Sequence, residues 1–307
     1  MAQINVEHLT KDYGCGRGVF DVSFSINKGE VFGFLGPNGA GKSTTIRHLM
    51  GFSKPDSGCT QILGKDSFEN YFYFMENVGY LPGEIALPSG LTGYEFIDMM
   101  KKLKKVKNDE WLNYLIELFE LDPSGETKKM SLGVKRKLAV VTAFMNDPDI
   151  LILDEPTSGL DLKMQETFIE FIKNEKKRGK TILLSSHIFS EVDATCDRIA
   201  IIKDGKIVSE FIADDLRHKE DKIYRACFKE IAEKKKFIIQ SKESDKYRVK
   251  NDGDMEVLVF VNDKDINYLL QDISQYQVTS FEHLKETLED YFMKYYKEDK
   301  TFGGALE

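Results

Sequence analysis

A run of four apolar residues that ends in two carboxylates and a proline constrains this chain more than any other stretch. The run is Ile150-Leu151-Ile152-Leu153, and Asp154, Glu155 and Pro156 follow it directly. Because the run is apolar on both faces, it predicts a parallel strand buried inside an α/β sheet. Ligands of open α/β sheets bind at the carboxyl ends of such strands, where Asp154 and Glu155 lie. Neighbouring strand residues point to opposite faces, so one carboxylate can hold a cation while the other acts on a water molecule, which implies hydrolysis.

A phosphate-binding motif lies upstream and fits the pattern G-x-x-x-x-G-K-[ST]. Its residues are Gly36, Pro37, Asn38, Gly39, Ala40, Gly41, Lys42, Ser43 and Thr44. A short apolar strand is predicted before it and an apolar-periodic helix after it. In this motif the backbone N–H groups surround phosphate oxygens, the lysine reaches the β- and γ-phosphates, and the serine hydroxyl ligates Mg²⁺. The alternative is a plain glycine turn between a strand and a helix, but the acidic strand downstream favours nucleotide binding.

Periodicity and composition divide the chain into segments. Residues 2–35 alternate apolar and polar side chains in short runs, which predicts antiparallel strands beside the nucleotide core. Residues from about 86 to 145 carry apolar positions at helical spacing and predict an inserted helical subdomain. From about residue 216 to 307 the chain is rich in Lys, Glu and Asp, and we expect a small α/β accessory domain. An amphipathic helix is predicted over 280–293, with Ser280 as its N-cap.

Together the two motifs resemble the ATPase subunit of an ABC transporter, and the run from Asp154 to Asp161 is far more specific to that family than the phosphate loop is. The resemblance covers roughly residues 1–215 and continues more weakly to the end. It implies an α/β fold with a P-loop NTPase core, an antiparallel β subdomain and the helical subdomain. ATP and Mg²⁺ are the implied cofactors.

The resemblance also implies roles for single residues. Asp154 and Ser43 would hold Mg²⁺, Glu155 would polarise the attacking water, and Lys42 and His187 would contact the γ-phosphate. His187 closes a predicted strand, as the switch histidine of the family does, although a lone histidine is usually structural. Tyr13 stands where the family carries an aromatic residue that stacks on adenine; an ordinary surface tyrosine is the alternative.

Three further positions would join two copies of the chain. The family's Leu-Ser-Gly-Gly-Gln signature, which binds ATP held by a second copy, corresponds to Met130-Ser131-Leu132-Gly133-Val134. Ser131 and Gly133 match it, whereas Leu132 and Val134 do not, and Ser131 can also be read as a simple N-cap. Asp161 resembles the residue that links the two sites across the dimer.

A larger departure lies in the stretch 78–84. The family has a glutamine after Tyr-x-Pro, but here Gly83 follows Pro82 and Glu84 is the nearest polar side chain. Gly83 has no side chain to ligate Mg²⁺ or to orient water. Some exporter ATPases of the family carry a similar Leu-Pro-Gly-Glu form, so we expect Glu84 to be the magnesium-linked residue.

Charge and hydropathy indicate the compartment and the partners. The net charge of −8 excludes a global basic signal for nucleic acid. The apolar runs are shorter than the roughly 20 residues of a membrane span, and the first residues do not form a signal peptide. The four cysteines are scattered and read as free thiols in a reducing cytosol. We therefore expect a cytoplasmic chain, peripheral on the inner face of the cell membrane, whose partners are transmembrane permease subunits and a second ATPase copy, identical or paralogous.

An aromatic cluster is the predicted permease contact. Its members are Phe68, Tyr71, Phe72, Tyr73 and Phe74. Aromatic residues are enriched at interface cores, but packing in the protein core is the main alternative for most of them.

The function predicted from the sequence is ATP hydrolysis that drives export through separate membrane subunits. A non-transport ABC ATPase acting on ribosomes or DNA is the alternative, but such chains usually carry two cassettes or long coiled coils. A P-loop kinase or GTPase is a second alternative, against which the signature, the Ser-Gly-Leu-Asp run and His187 argue.

Overall fold

The computed structural model describes residues 2–217, 221–242, 244–284 and 287–297. Within them the chain divides into two compact units, on either side of the bond between Ala213 and Asp214. Among these residues no helix is both long enough and apolar enough to cross a membrane.

Among the described residues, the first unit contains both strands and helices. Its strands are β1 (Ala2–Asp12), β2 (Gly18–Asn27), β3 (Val31–Leu35), β4 (Ser57–Ile62), β5 (Lys65–Asp66), β6 (Val78–Leu81), β7 (Ile150–Asp154), β8 (Thr181–Ser186), β9 (Arg198–Lys203) and β10 (Lys206–Ile212). Its helices are α1 (Lys42–Leu49), α2 (Tyr71–Asn77), α3 (Gly93–Leu103), α4 (Asp109–Leu118), α5 (Leu132–Phe144), α6 (Leu162–Lys177) and α7 (Phe189–Thr195).

A six-stranded sheet forms the centre of this unit, in the order β10-β9-β3-β8-β7-β6. All neighbours in it are parallel except β10, which returns antiparallel to β9 through a turn at Asp204 and Gly205. Every residue of β3, β7 and β8 is buried. The apolar run 150–153 is therefore a buried parallel strand, as predicted. Asp154 pairs with Ser185 across β7 and β8, so the carboxyl ends of these two strands lie side by side.

A second, antiparallel sheet has the order β2-β1-β4-β5. Alternate residues of β1 and β2 are buried, which is the pattern of strands with one covered face. Phe24 of β2 stacks on Phe32 of β3 with ring centroids 5.1 Å apart, so the two sheets share one hydrophobic core. The predicted antiparallel strands are thus confirmed for β1 and β2, whereas residues 31–35 form β3 of the parallel sheet.

Helices α3, α4 and α5 lie between β6 and β7 in the chain, where helical spacing predicts them. A capping box between Thr92 and Glu95 begins α3. The Phe119, Phe144 and Phe171 rings pack edge to face near Trp111, and Phe171 lies 4.9 Å from Phe144 and 5.4 Å from Phe119. Phe171 belongs to α6, so this aromatic packing fastens the helical segment to the α/β core.

The second unit is built on a four-stranded antiparallel sheet. Its elements are α8 (Ala213–Arg217), which begins at the unit boundary, β11 (Asp221–Phe228), α9 (Ile231–Ser241), β12 (Tyr247–Asn251), β13 (Glu256–Asn262), α10 (Ile266–Ile273), β14 (Val278–Leu284) and α11 (Leu288–Lys297). The strand order is β12-β13-β11-β14. Buried residues of β11, β13, α9 and α10 form a core of their own.

The helix predicted over 280–293 with Ser280 as its N-cap is wrong in its first half. Ser280 lies in β14 and pairs with Cys227 of β11, and Phe281 stacks on Tyr224 at 4.8 Å. The helix begins at Leu288, where the Thr287 hydroxyl accepts a hydrogen bond from the Asp290 N–H. Pairing with a strand distant in sequence outweighs the local helical pattern because it satisfies the backbone and partly buries the Phe281 ring.

Candidate active site

The phosphate loop connects β3 to α1 at the carboxyl edge of the central sheet. Gly41 immediately precedes α1 and has a φ of 111°, a left-handed backbone that favours glycine. A Cβ there would lie 2.8 Å from the Val19 side chain, so the turn excludes any larger residue. The first N–H groups of α1 have no partners inside the helix and, with the helix dipole, suit an anion.

Lys42 is the first residue of α1 and is buried. Its ammonium donates hydrogen bonds to the Gly36 carbonyl at 2.6 Å and to the Pro37 carbonyl at 3.1 Å. It also lies 3.0 Å from Glu155 Oε1. The loop carbonyls therefore hold the Lys42 ammonium at the phosphate loop. There, phosphate oxygens would compete with the Glu155 carboxylate for contact with the ammonium.

The two carboxylates after the apolar run take different positions. Asp154 ends β7, is buried, and accepts a hydrogen bond from the Ser185 hydroxyl of β8. Glu155 lies beyond the strand with a φ of 49°, so strand alternation does not set its direction as the sequence had suggested. Its backbone N–H donates instead to the Ser185 carbonyl at 3.0 Å. A turn rather than the pleat separates the two acids.

His187 directly follows β8, the neighbour of the acidic strand. Its Nδ1 lies 2.6 Å from Glu155 Oε2, and its side chain remains 46% exposed. Glu155 thus bridges Lys42 and His187, one carboxylate oxygen to each.

One cleft of about 420 Å³ collects most of the predicted catalytic and metal-binding residues. Its lining residues are Asn38, Ser43, Arg47, Tyr80, Pro82, Gly83, Glu84, Asp154, Glu155, Ser158 and His187. Burial, aided by the charge of Asp154, raises the pKa of Tyr80 to about 12, so its hydroxyl stays protonated there.

The oxygen donors of the cleft suit Mg²⁺. They are too few for a metal ion that takes all its ligands from the protein. Ser43, Asp154 and Glu84 supply oxygen atoms, the ligands that Mg²⁺ prefers. Throughout the described residues no group of three or more His, Cys, Asp or Glu side chains could hold a metal ion. Mg²⁺ typically takes one or two carboxylates and completes its shell with phosphate oxygens and water.

Outside the phosphate loop, four predicted binding residues do not line this cleft. Tyr13 is 57% exposed. The Ser131 hydroxyl accepts from the Val134 N–H at 3.3 Å as the N-cap of α5, and Asp161 caps α6 by accepting from the Met164 N–H at 2.9 Å. Gly133 approaches the loop after Glu155 so closely that a Cβ on it would lie 3.1 Å from the Gly159 carbonyl oxygen.

Sequence reasoning missed Arg136, a buried residue in the second turn of α5. Its guanidinium donates to three backbone carbonyls, those of Pro82 and Ser158 at 2.9 Å and that of Gly83 at 2.6 Å. The signal was present: Arg136 shares a helix face with Val140 and Ala143, both buried, and a charged residue on such a face must find polar partners inside.

Glu191 in α7 is the second residue that was missed. It is buried, and the Ser186 hydroxyl donates to its Oε2 at 2.6 Å. The same hydroxyl accepts from the Ile188 N–H at 2.9 Å, so the two bonds fasten the turn that carries His187. Burial, aided by the nearby charge of Glu155, raises the pKa of Glu191 to about 7.

The chain is similar to a known protein family and to individual proteins of known name. A family model described as ABC transporter matches residues 19–158. The bacitracin transport ATP-binding protein BcrA of Bacillus licheniformis is 33% identical over 303 residues, which span 95% of this chain and 96% of that protein. The linearmycin resistance ATP-binding protein LnrL of Bacillus subtilis is 35% identical over 69% of this chain and 70% of its own.

Solved structures agree. One described as the ATP-binding subunit of an ABC transporter superimposes with a TM-score of 0.65 at 30% identity, over 70% of this chain and 92% of that one. A dimeric, post-hydrolysis ATP-binding cassette with ADP and Pi bound shares the fold, with a TM-score of 0.62 at 23% identity over 68% of this chain and 98% of its own. The fold, the phosphate loop beside the acidic strand and a relative aligned over nearly the full length lead to one conclusion: the chain belongs to the ATP-binding subunits of ABC transporters.

Proposed function

We propose that this chain hydrolyses ATP between Lys42 of the phosphate loop and the adjoining cleft of Ser43, Asp154, Glu155 and His187, and so drives export through separate membrane subunits. The observation that best supports the proposal is the position of the Glu155 carboxylate between two partners. It lies 3.0 Å from Lys42 Nζ and 2.6 Å from His187 Nδ1. A carboxylate between a phosphate-binding cation and a histidine can accept a proton from a water molecule that attacks the γ-phosphate.

Each residue then has one task. The N–H groups of residues 36–44 and the Lys42 ammonium bind the β- and γ-phosphates, which releases Glu155 from Lys42. Glu155 orients and polarises the attacking water, and His187 donates a hydrogen bond to the γ-phosphate. Mg²⁺ held by Ser43 and Asp154 would supply charge that offsets the negative phosphates. Positioning and charge stabilisation are the main requirements of phosphoryl transfer.

A second copy completes the site in this proposal. Ser131 and Gly133 lie at the N-terminus of α5, where free N–H groups suit the γ-phosphate of ATP bound to the partner. Leu132 beside them is 59% exposed, as expected of a residue that meets another chain. Asp161 lies in the loop that would link the two sites, and the exposed Tyr13 ring is accessible to adenine. The two copies would face each other head to tail.

An apolar groove supports the proposed permease contact. It encloses about 560 Å³ and is lined mainly by apolar side chains of α2, β6, the 82–87 loop and α3. Of the predicted aromatic cluster only Phe74 is buried in the core; Phe68, Tyr71, Phe72 and Tyr73 are exposed, and Phe72 is 75% exposed. A helix of a membrane subunit that docks there would hold the chain on the inner face of the membrane, adjacent to Glu84.

The names of relatives support the direction of transport. A Nod factor export ATP-binding protein of Burkholderia orbicola is 34% identical over 68% of this chain and 71% of that protein. With the bacitracin and linearmycin relatives, it favours an exporter of a drug, antibiotic or peptide.

Phosphate release from ATP, without any acceptor substrate, tests the proposal. The Lys42→Met variant is expected to lose at least about 100-fold of the activity, because the ammonium that binds the phosphates is gone. The matched control is Lys173→Met, a half-exposed lysine of α6 that does not line the cleft. Equal rates in wild type and Lys42→Met would refute the assignment. Co-purification with ribosomes rather than with a membrane protein would refute the transport role.

A further inference from the structure

Arg136 joins two loops of the active site through one side chain. Its Nη1 and Nη2 groups donate to the Pro82 and Gly83 carbonyls, and its Nε donates to the Ser158 carbonyl. The first two belong to the loop after β6, and the third belongs to the loop after Glu155. A planar guanidinium can satisfy such divergent acceptors at once, because its donors are fixed in a fork.

The positive charge of Arg136 also interacts with carboxylates of the active site. Burial lowers the pKa of the guanidinium, while the charges of Asp154, Glu155 and Glu191 raise it. These carboxylates, together with three carbonyl oxygens, offset the cost of burying a cation.

The contact with Gly83 sets the distance between its loop and the proposed magnesium ligand. A Cβ on Gly83 would lie only 2.9 Å from Asp154 Oδ2, so the backbone there rests directly against the carboxylate. The glutamine expected at this position is absent, and no side chain of residue 83 can hold the loop. The loop is held from the other side, by the Arg136 bonds to its carbonyls.

Arg136 also belongs to the helix that would meet the second copy. It lies five residues after Ser131, about 7 Å along the axis of α5. A shift of the N-terminal end of this helix therefore moves the guanidinium, and with it both loops.

We propose that Arg136 is a positioning residue that couples the N-terminus of α5 to the Asp154 side of the active site, replacing the missing glutamine. The inference rests on the proposed function and adds its regulation: the arrival of the partner's ATP at Ser131 sets the Gly83 loop and the Ser158 loop for hydrolysis.

The test compares Arg136→Lys with wild type in three measurements. Lysine keeps the charge, but one ammonium cannot span acceptors on both loops. We expect kcat to fall about tenfold or more, since small displacements of reacting groups are costly. We expect the ratio of the ATP dissociation constants without and with Mg²⁺ to fall toward one. ATP-dependent dimerisation, followed in the Glu155→Gln background, should persist.

The matched control is Arg198→Lys, a partly buried arginine that binds Glu30 and lies outside the cleft. It should lower stability and leave the magnesium ratio unchanged. If Arg136→Lys does not fold, Gly83→Ala tests the same contact from the other side, since its Cβ pushes the loop off Asp154, and it should reduce the magnesium ratio.

A wild-type kcat and magnesium ratio in Arg136→Lys, or a wild-type ratio in Gly83→Ala, overturns the inference and leaves the proposed function intact. Absence of hydrolysis by the wild-type chain overturns the proposed function instead.

Discussion

A single buried ionisable side chain can fix the position of a catalytic residue that it does not precede or follow directly in the sequence. Glu191 is remote from the phosphate loop in sequence, yet through the Ser186 hydroxyl it fixes the turn that bears His187. Its carboxyl has a pKa of about 7, raised from 4.5 chiefly by burial. The folded state therefore favours the protonated form of Glu191.

This predicts a pH dependence of stability. Between pH 4.5 and 7 the unfolded chain loses the proton of Glu191 before the folded chain does, so this residue lowers the free energy of unfolding as pH rises and adds nothing further above pH 7. Across that window wild type should lose up to about 3 kcal/mol more than Glu191→Gln. Denaturant unfolding of both proteins at pH 5 and pH 7.5 measures the difference. Parallel pH profiles would show that Glu191 has an ordinary pKa.

Residue type and spacing were sufficient to predict which side chains meet in the cleft. Ser43, Asp154, Glu155 and His187 all line it, because each ends or directly follows a parallel strand or stands at the start of the helix that follows one. Arg136 was missed because its partners are backbone carbonyls that only the folded chain brings near. Glu191 was missed because its burial depends on the packing of α7 in the folded chain. The left-handed backbone conformation of Glu155 was missed as well, because a run of apolar strand residues does not predict it.

At the scale of elements, aromatic packing fastens the helical segment to the core. Phe171 of α6 is buried among Phe119, Phe144 and Trp111, which belong to or directly follow α4 and α5. Arg178 also lies over the Trp111 ring, 4.7 Å from its centroid. Since α5 carries both Ser131 and Arg136, this packing supports the proposed coupling.

Truncation of Phe171 should therefore destabilise the first unit. The Phe171→Ala variant removes a buried ring and leaves a cavity, which costs about 3–5 kcal/mol. Thermal or denaturant unfolding measures the loss, and Phe72→Ala, which truncates an exposed ring, serves as the control and should change stability little. A loss below about 1 kcal/mol in Phe171→Ala would mean that the cluster collapses around the gap.

The elements themselves were predictable where their pattern was long and local. The buried strand at 150–153 and the helices after residue 86 follow from the period of their apolar residues. The segment 278–284 did not follow, because its pairing with β11 depends on residues 50 or more positions away. Local propensity for a helix is weak compared with a full strand ladder.

At the scale of the whole molecule, one chain does not contain a complete site in this account. Within the single chain Ser131 and Asp161 cap helices and Gly133 lies against a loop. We propose that all three act across a dimer. A second copy would supply the ATP that they bind. Closure of two copies around ATP, and its reversal on hydrolysis, would then move the membrane subunits.

The most direct test is the Glu155→Gln variant, assayed for phosphate release and for ATP-dependent dimerisation by sedimentation, with Glu170→Gln as an exposed control on α6. Glutamine keeps the size of the side chain and removes the base, so hydrolysis should fall by about 100-fold or more while ATP still binds. Without hydrolysis to reopen it, the variant should accumulate as an ATP-bound dimer. Normal turnover by Glu155→Gln, or a chain that stays monomeric with ATP bound, would contradict the account.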